Sequence, residues 1–328
     1  ARGVDYTKPP LSFLEQVRHL QARGLVIADT QRAAHLLQQV GYYRLSAYAY
    51  PFRELLPADH PRDSRWQFRH DDFLPGTTFS TVVALWRFDR DLRLLMFDAI
   101  ETIEVALRVH VAYVLGKRDA FGHLNQEHLD PVACTKIIED RRTQWAAWAA
   151  KYATAVNGAR SEDFVRHYTE KYDGRLPIWV GTEVMDFGLV AKLYSLLRAQ
   201  DRTEIGRSLG VPAGGVLRKW LTTLNYLRNL CAHHSRLWNR RLTYTISSPP
   251  PGLVADLEHL SALPATARRK IYSVVAVTAH LVTTIDPQTD WKARLIDLMA
   301  GFPQNPQVSP ETDMGFSVDW RSLPLWIT

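Results

Sequence analysis

Cysteine is nearly absent from this 328-residue chain. The only two, Cys134 and Cys231, lie far apart and in no metal-ligand spacing, which excludes a disulfide scaffold and a zinc ribbon and suits a reducing compartment. Long apolar runs are also missing. The longest, residues 271–285, is too short to span a bilayer and carries His280, so it reads as a buried helix. Residues 1–5 hold no apolar leader segment. The expectation is a cytoplasmic, soluble protein with no membrane partner. The motifs G-x-x-x-x-G-K-S/T, G-x-G-x-x-G and H-E-x-x-H are absent too, which removes support for nucleoside-triphosphate hydrolysis, dinucleotide redox chemistry and zinc hydrolysis. No metal and no cofactor is expected.

What the chain does contain is enough apolar residue, 46%, to build a full core in one large domain or two ordinary ones. Its 40 basic residues outnumber 34 acidic ones, for a net charge of +6, and most of the basic residues are arginine. That balance permits an anionic partner without demanding one, because arginine excess also accompanies GC-rich genomes.

Residues 11–54 read as compact helices. Ser12 with Glu15 has capping-box spacing and Gly24 is a stop; Asp29 or Thr30 caps the next helix and Gly41 breaks it. A helix-turn-helix is one reading, with Tyr42, Tyr43, Arg44, Tyr48 and Tyr50 stacking on bases. The other reading, which is simpler, makes these aromatics anchors to the main body. Residues 56–76 are polar and contain Pro57, Pro61 and Pro75, so they read as a linker or surface excursion. A long amphipathic helix follows, with an expected break at 87–91. Leu92, Leu95, Met96, Ala99, Ile103, Ala106, Leu107, His110 and Val111 line its apolar stripe, with Glu101, Glu104 and Arg108 opposite. Residues 117–176 look like an insertion with a helix at 136–152. Gly188 within the next helical block hints at close helix packing. Residues 253–286 predict two more helices, and the tail from Gly301 reads as extended. With no internal repeat and no strong β pattern, the fold class is mainly α. The organisation read from this pass is an N-terminal helical subdomain (1–55), a linker (56–76), a helical domain (77–245, with the insertion) and C-terminal helices with a tail (246–328).

One helix breaks its own pattern. With Leu217 at zero and about 100° per residue, Trp220, Leu221, Leu224 and Cys231 fall within about 60° and form an apolar stripe. Arg228 lands about 20° from its centre. A charge there needs a partner or a polar cavity. Either a carboxylate such as Glu101, Glu104 or Glu183 satisfies it, or it belongs to an Arg-x4-His site for a phosphate. Asn229 and His233 share the flank one step round, and His234, Arg236, Arg240 and Arg241 extend a basic patch beyond. The spacing itself recurs at Arg65/His70 and Arg118/His123, both read as accidental because they fall in polar or glycine-flanked loops. Cys231, near the apolar stripe, reads as packing rather than as a nucleophile.

The stretch "RNLCAHHSRLWNR" resembles the R-N-x-x-x-H signature of HEPN ribonucleases, and more specifically the Abi-like (AbiD/AbiF) proteins of bacterial abortive-infection systems. "LQARGLVIADTQRAAHLLQQVGYYRLSAY", "FDRDLRLLMFDAIETIEVALRVHVAYVLG" and "LPIWVGTEVMDFGLVAKLY" match further blocks of that family in order. The resemblance implies a HEPN-type helical bundle, a homodimer whose motifs face one another, and metal-independent RNA cleavage by the substrate's own 2′-hydroxyl. By motif matching, His233 is the general acid/base, Arg228 the phosphate clamp, and Asn229 positions one or the other. Glu104 is implied as an orienting group, with Arg108, His234, Arg236, Arg240 and Arg241 on the substrate side. The family also implies a toxin held inactive by a partner. RNA is then expected both as substrate and as a small noncoding antitoxin or guide. Two alternatives stay open: an RNA-binding module that does not cut, and a DNA-binding regulator acting through the N-terminal helices.

Overall fold

A computed structural model of the chain describes residues 9–57, 59–60 and 67–327. Residues 1–5, the middle of the polar stretch and Arg65 of the first Arg-x4-His pair lie outside the described residues. The structure is mainly helical, and the chain divides into two compact units, Ala1–Asp91 with Leu298–Ser309 and Leu92–Asp297 with Pro310–Thr328.

In the first unit, α1 (Phe13–Ala22) opens on the expected capping box: the Ser12 backbone N–H donates to Glu15 Oε2 (2.7 Å) and the Glu15 N–H to Ser12 Oγ (3.4 Å). Asp29 caps α2 (Thr30–Val40) by accepting from the Arg32 N–H, and Gly41, at φ 87°, separates it from α3 (Tyr42–Ala49). Most of the tyrosines go to packing. Tyr48 is buried and donates to the buried Asp89 carboxylate at 2.6 Å, Tyr42 lies beside His19, and Tyr50 accepts from the Phe68 N–H; Tyr43 alone of the four is exposed. An unpredicted pair of strands joins the polar stretch to the residues before it, β1 (Arg53–Leu55) antiparallel to β2 (Arg69–Phe73). Its residues are too polar to read as strand. Asp71 offsets this by pairing with both Arg23 and Arg53, at 3.1 and 3.2 Å.

The long helix α4 (Phe79–Gly116) runs 38 residues without the expected break. No proline or glycine interrupts it before Gly116, Phe88 and Leu92 are buried, and Tyr48 satisfies Asp89, so the charged residues at 87–91 do not disturb the helix.

The second unit takes up α4 from Leu92. It continues with α5 (Pro131–Thr135), α6 (Gln144–Gly158), α7 (Asp163–Tyr172), α8 (Ile178–Gly181), α9 (Phe187–Leu196), α10 (Ala199–Ser208), α11 (Gly214–Ala232) and α12 (Tyr272–Ile285). The last helix, α13 (Trp291–Ala300), begins here, with Trp291 Nε1–H donating to Leu95 O. Helix α6 starts eight residues later than expected. Asp140 bonds both the Arg142 backbone N–H and its guanidinium, Arg141 takes a left-handed conformation, and Thr143 caps the helix by accepting from the Ala146 N–H. Helix α12 is buried almost throughout, as its composition predicts. The first of the two helices expected at 253–286 is instead a 3₁₀ stretch, Ala255–Ala262, too short between flanking prolines to propagate as α. The tail is not extended: Phe316, Trp320 and Trp326 are buried and stack in series on Tyr272. Among the described residues, no helix is long and apolar enough to cross a membrane.

The second Arg-x4-His pair serves the fold. Arg118 pairs with Asp201 at 2.6 Å, while His123 is fully buried beside Tyr152. Burial lowers the His123 pKa from 6.5 to about 4. Between those values the unfolded chain binds a proton that the folded chain excludes, so stability falls as pH drops from about 6.5 towards 4, by about 3 kcal/mol in all. Urea unfolding at pH 7.5 and pH 4.5 should show this loss, and His123→Gln should flatten it. An unchanged slope in the variant would assign the loss to other groups.

Candidate active site on helices α4, α9 and α11

Helix α11 buries Leu217, Trp220, Leu221, Leu224 and Cys231, the stripe expected from its wheel, and Leu227 beside it. Arg228 sits half-buried at the edge of that stripe. Its Nε is buried without a hydrogen-bond partner, its guanidinium lies 5.9 Å from the centre of the Phe97 ring, and it forms no ion pair with a described residue. Such an arrangement leaves one guanidinium nitrogen buried without a hydrogen bond and the cation without a direct ion pair among the described residues.

The nearest carboxylate of interest is Glu104 on α4. It was expected on the solvent face with Glu101, but it is buried, and Arg108 one turn on donates to it. Burial raises the Glu104 pKa, opposed by the positive charges of Arg108 and Arg228. The same balance registers Asp186, whose negative charge acts on Glu104 in the raising direction. Asp186 is the N-cap of α9 and accepts from the Leu189 N–H at 2.7 Å. Two residues on, Gly188 lets α9 approach α11: a Cβ there would stand 3.3 Å from the Asn225 side-chain amide. The packing inferred from Gly188 in the sequence is therefore real, and it draws Asp186 and Asn225 into the cluster. Neither was a candidate from the sequence. Phe97 was missed as well, although it precedes Glu104 by seven residues and so shares its helical face.

Asn229 and His233 are exposed at the end of α11. The turn beyond them has a defined geometry. His233 is the C-cap, the His234 N–H donates to Cys231 O (3.0 Å), and the Ser235 N–H donates to Leu230 O (2.9 Å). These two bonds make a Schellman motif with His234 in the left-handed position, at φ 55°. Helices α1 and α10 close with the same pair of bonds, but place Gly24 and Gly210 there. A side chain in that conformation costs about 1 kcal/mol. His234→Gly is accordingly expected to raise stability by about 1 kcal/mol, read as a higher urea midpoint at unchanged slope. A lower midpoint would mean that a contact of the imidazole outweighs the strain. After the turn Leu237 and Trp238 are fully buried, which fixes the basic segment in place. Arg240 turns its Nε to Arg236 O (2.8 Å), Arg236 is half-buried and Arg241 is exposed.

The outer side of α4 carries an apolar series, Leu94, Phe97, Val105, Val109 and Tyr113, all exposed in the isolated chain. Near its end an open cavity of about 430 Å³ is lined by Val109, Tyr113, Lys117 and the exposed Trp179. Among the described residues, no group of three His, Cys, Asp or Glu side chains is placed to hold a metal ion. What these residues offer chemically is a guanidinium to hold an anion and, five residues on in the chain, an exposed imidazole.

Residues 35–239 match the family model for Abi-like protein, a span that includes α4, α9 and α11 together with Arg228, Asn229 and His233. No curated protein and no solved structure matches the chain.

Proposed function

The chain belongs to the Abi-like protein family, which points to abortive infection, and from that premise we propose that it is a metal-independent endoribonuclease of HEPN type. The observation that carries this reading is Arg228, a half-buried guanidinium with an orphaned Nε and no direct ion pair among the described residues, five residues before an exposed histidine. A merely structural arginine at this depth would be neutralised. Glu104 acts on it only through its charge, since its direct ion pair is with Arg108.

In the proposed reaction Arg228 holds two non-bridging oxygens of the scissile phosphate. The RNA 2′-hydroxyl attacks phosphorus, its proton passes to an imidazole, and the P–O5′ bond breaks as the leaving oxygen gains a proton. The products are a 2′,3′-cyclic phosphate and a 5′-hydroxyl. Asn229, four residues from His233, positions the imidazole or the phosphate. Glu104 orients Arg228 through its charge, and Arg108, Arg236, Arg240, Arg241 and His234 meet the strand. A homodimer would cover the apolar series of α4 and bring a second His233 to the site, so that one imidazole takes a proton while the other gives one. In the cell the nuclease would act as a toxin, restrained by a partner, with a small noncoding RNA as one candidate.

The test is incubation of purified protein with total RNA in EDTA, with the product ends mapped. Cyclic-phosphate ends are expected. RNA that co-purifies and is bound but never cut, in a preparation freed of other macromolecules, would replace the nuclease with a non-cleaving RNA-binding module.

A further inference from the structure

The segment between α4 and α8 lines an open cavity of about 550 Å³, within the roughly 300–1,000 Å³ range of small-molecule sites. None of its lining residues belongs to the Arg228 cluster. Its inner wall is aromatic: Trp148 and Tyr152 on α6 stack with their rings 5.2 Å apart and 8° from parallel, and His123 meets Tyr152 edge-on. Trp148 directs its own Nε1–H away, to Leu189 O, so its indole donor is already used.

Two other nitrogens are not. The Nδ1 of fully buried His123 and the Nε1 of Trp145 are both buried without a hydrogen-bond partner among the described residues. A buried polar atom left unpaired is unfavourable, and both residues line this cavity, so a polar ligand edge that reaches these nitrogens would relieve that cost. The imidazole is neutral at physiological pH because burial lowers its pKa, so Nδ1 offers one donor or one acceptor according to tautomer. The rim is different in character. Arg160 and Arg175 line the cavity from exposed positions, and Arg175 is braced over the Phe121 ring at 4.2 Å.

We propose that this cavity is a nucleotide-binding site, taking a nucleobase against the Trp145, Trp148 and Tyr152 rings and its phosphate on Arg160 and Arg175. A base suits the wall because it is flat and its edge carries both donors and acceptors, which pair with Trp145 Nε1–H and His123 Nδ1. A phosphate suits the rim because guanidinium forks bind it bidentately. A plain apolar ligand would leave both nitrogens unpaired. The nucleotide comes either free or as one splayed residue of an RNA strand, and the chemistry recognised is the same.

The experiment is a titration of the full chain, in its His233→Ala form so that RNA is not cut. The probes are the four ribonucleoside 5′-monophosphates and, separately, a mixed-sequence single-stranded 10-mer RNA, followed by calorimetry. Two variants are compared: Trp145→Phe, which keeps a ring and removes the donor, and the exposed pair Arg160→Glu/Arg175→Glu. The expected result is one site per chain, weakened about tenfold by Trp145→Phe and at least about tenfold by the arginine pair. Saturation by a monophosphate identifies a free nucleotide as the ligand. Saturation by RNA alone, with the same losses, identifies a strand residue. Absence of binding by both probes overturns the proposal, and so does binding that neither variant weakens. The outcome is independent of cleavage, so failure here leaves the nuclease reading standing.

Discussion

Arg228→Ala and His233→Ala are each expected to remove RNA cleavage in EDTA while leaving the fold intact. Loss of a general acid/base lowers the rate by roughly 10²–10⁴, and loss of a donor aimed at developing phosphate charge by roughly 10²–10³. Arg228→Lys should recover little, since an ammonium replaces a planar fork with a point charge. The stability side of this prediction separates the functional reading from the structural one. Breaking a buried ion pair is strongly destabilising, by about 3–5 kcal/mol, because it strands the partner's charge. Arg228 makes no direct ion pair with a described residue: its Nε is orphaned, and the Glu104 carboxylate, which its charge reaches, is bonded to Arg108. Its removal should therefore shift the urea midpoint little, or raise it. His233 is exposed at the C-cap, so its truncation should be similarly mild. If both variants instead unfold, the pair is structural and the nuclease assignment fails. If both stay folded and still cut, the catalytic groups lie elsewhere.

Gly214→Ala should be among the most damaging conservative changes in the second unit. Helices α10 and α11 meet so closely that a Cβ on Gly214 would lie 2.6 Å from the carbonyl carbon and Cβ of Arg202 and 2.7 Å from its carbonyl oxygen. Two of these three are backbone atoms, which cannot swing aside as the end of a long side chain would. Buried Tyr194 also bridges the contact, its hydroxyl lying within hydrogen-bond reach of both Arg202 O (2.9 Å) and Gly214 O (3.1 Å). Displacing α11 breaks that bridge. The expected loss is about 3 kcal/mol or more, since overpacking and a broken buried bond add. Cleavage should fall with it, because Arg228 rides on the same helix. Gly215→Ala is the control: nothing lies within 4 Å of its Cβ, and alanine in a helix gains up to about 1 kcal/mol over glycine. A Gly214→Ala variant as stable as Gly215→Ala would show that the two helices can separate without cost.

The sequence by itself determined those features that depend on neighbours along the chain. The Ser12 capping box, the Asp29 cap, the Gly41 break, the buried stripe of α11 and the anomaly of Arg228 all follow from spacing, because caps and helical faces are set by residues within one or two turns. The ordered blocks around "RNLCAHHSRLWNR" carried the family resemblance in the same way. Tertiary structure decided whatever depends on which distant segments meet. Asp89 could remain inside an unbroken α4 because Tyr48, 41 residues earlier, satisfies it. The polar strand pair holds because Asp71 reaches Arg23 across 48 positions. Glu104 has the spacing of a surface residue, yet it is buried in a cluster completed by Asp186 and Arg228, and that burial raises its pKa. The cavity beside Trp148 needed His123, α6 and the Arg175 loop together. A residue's own spacing states which side of its helix it occupies, but whether that side faces water or another charge is fixed only when the rest of the chain has packed against it.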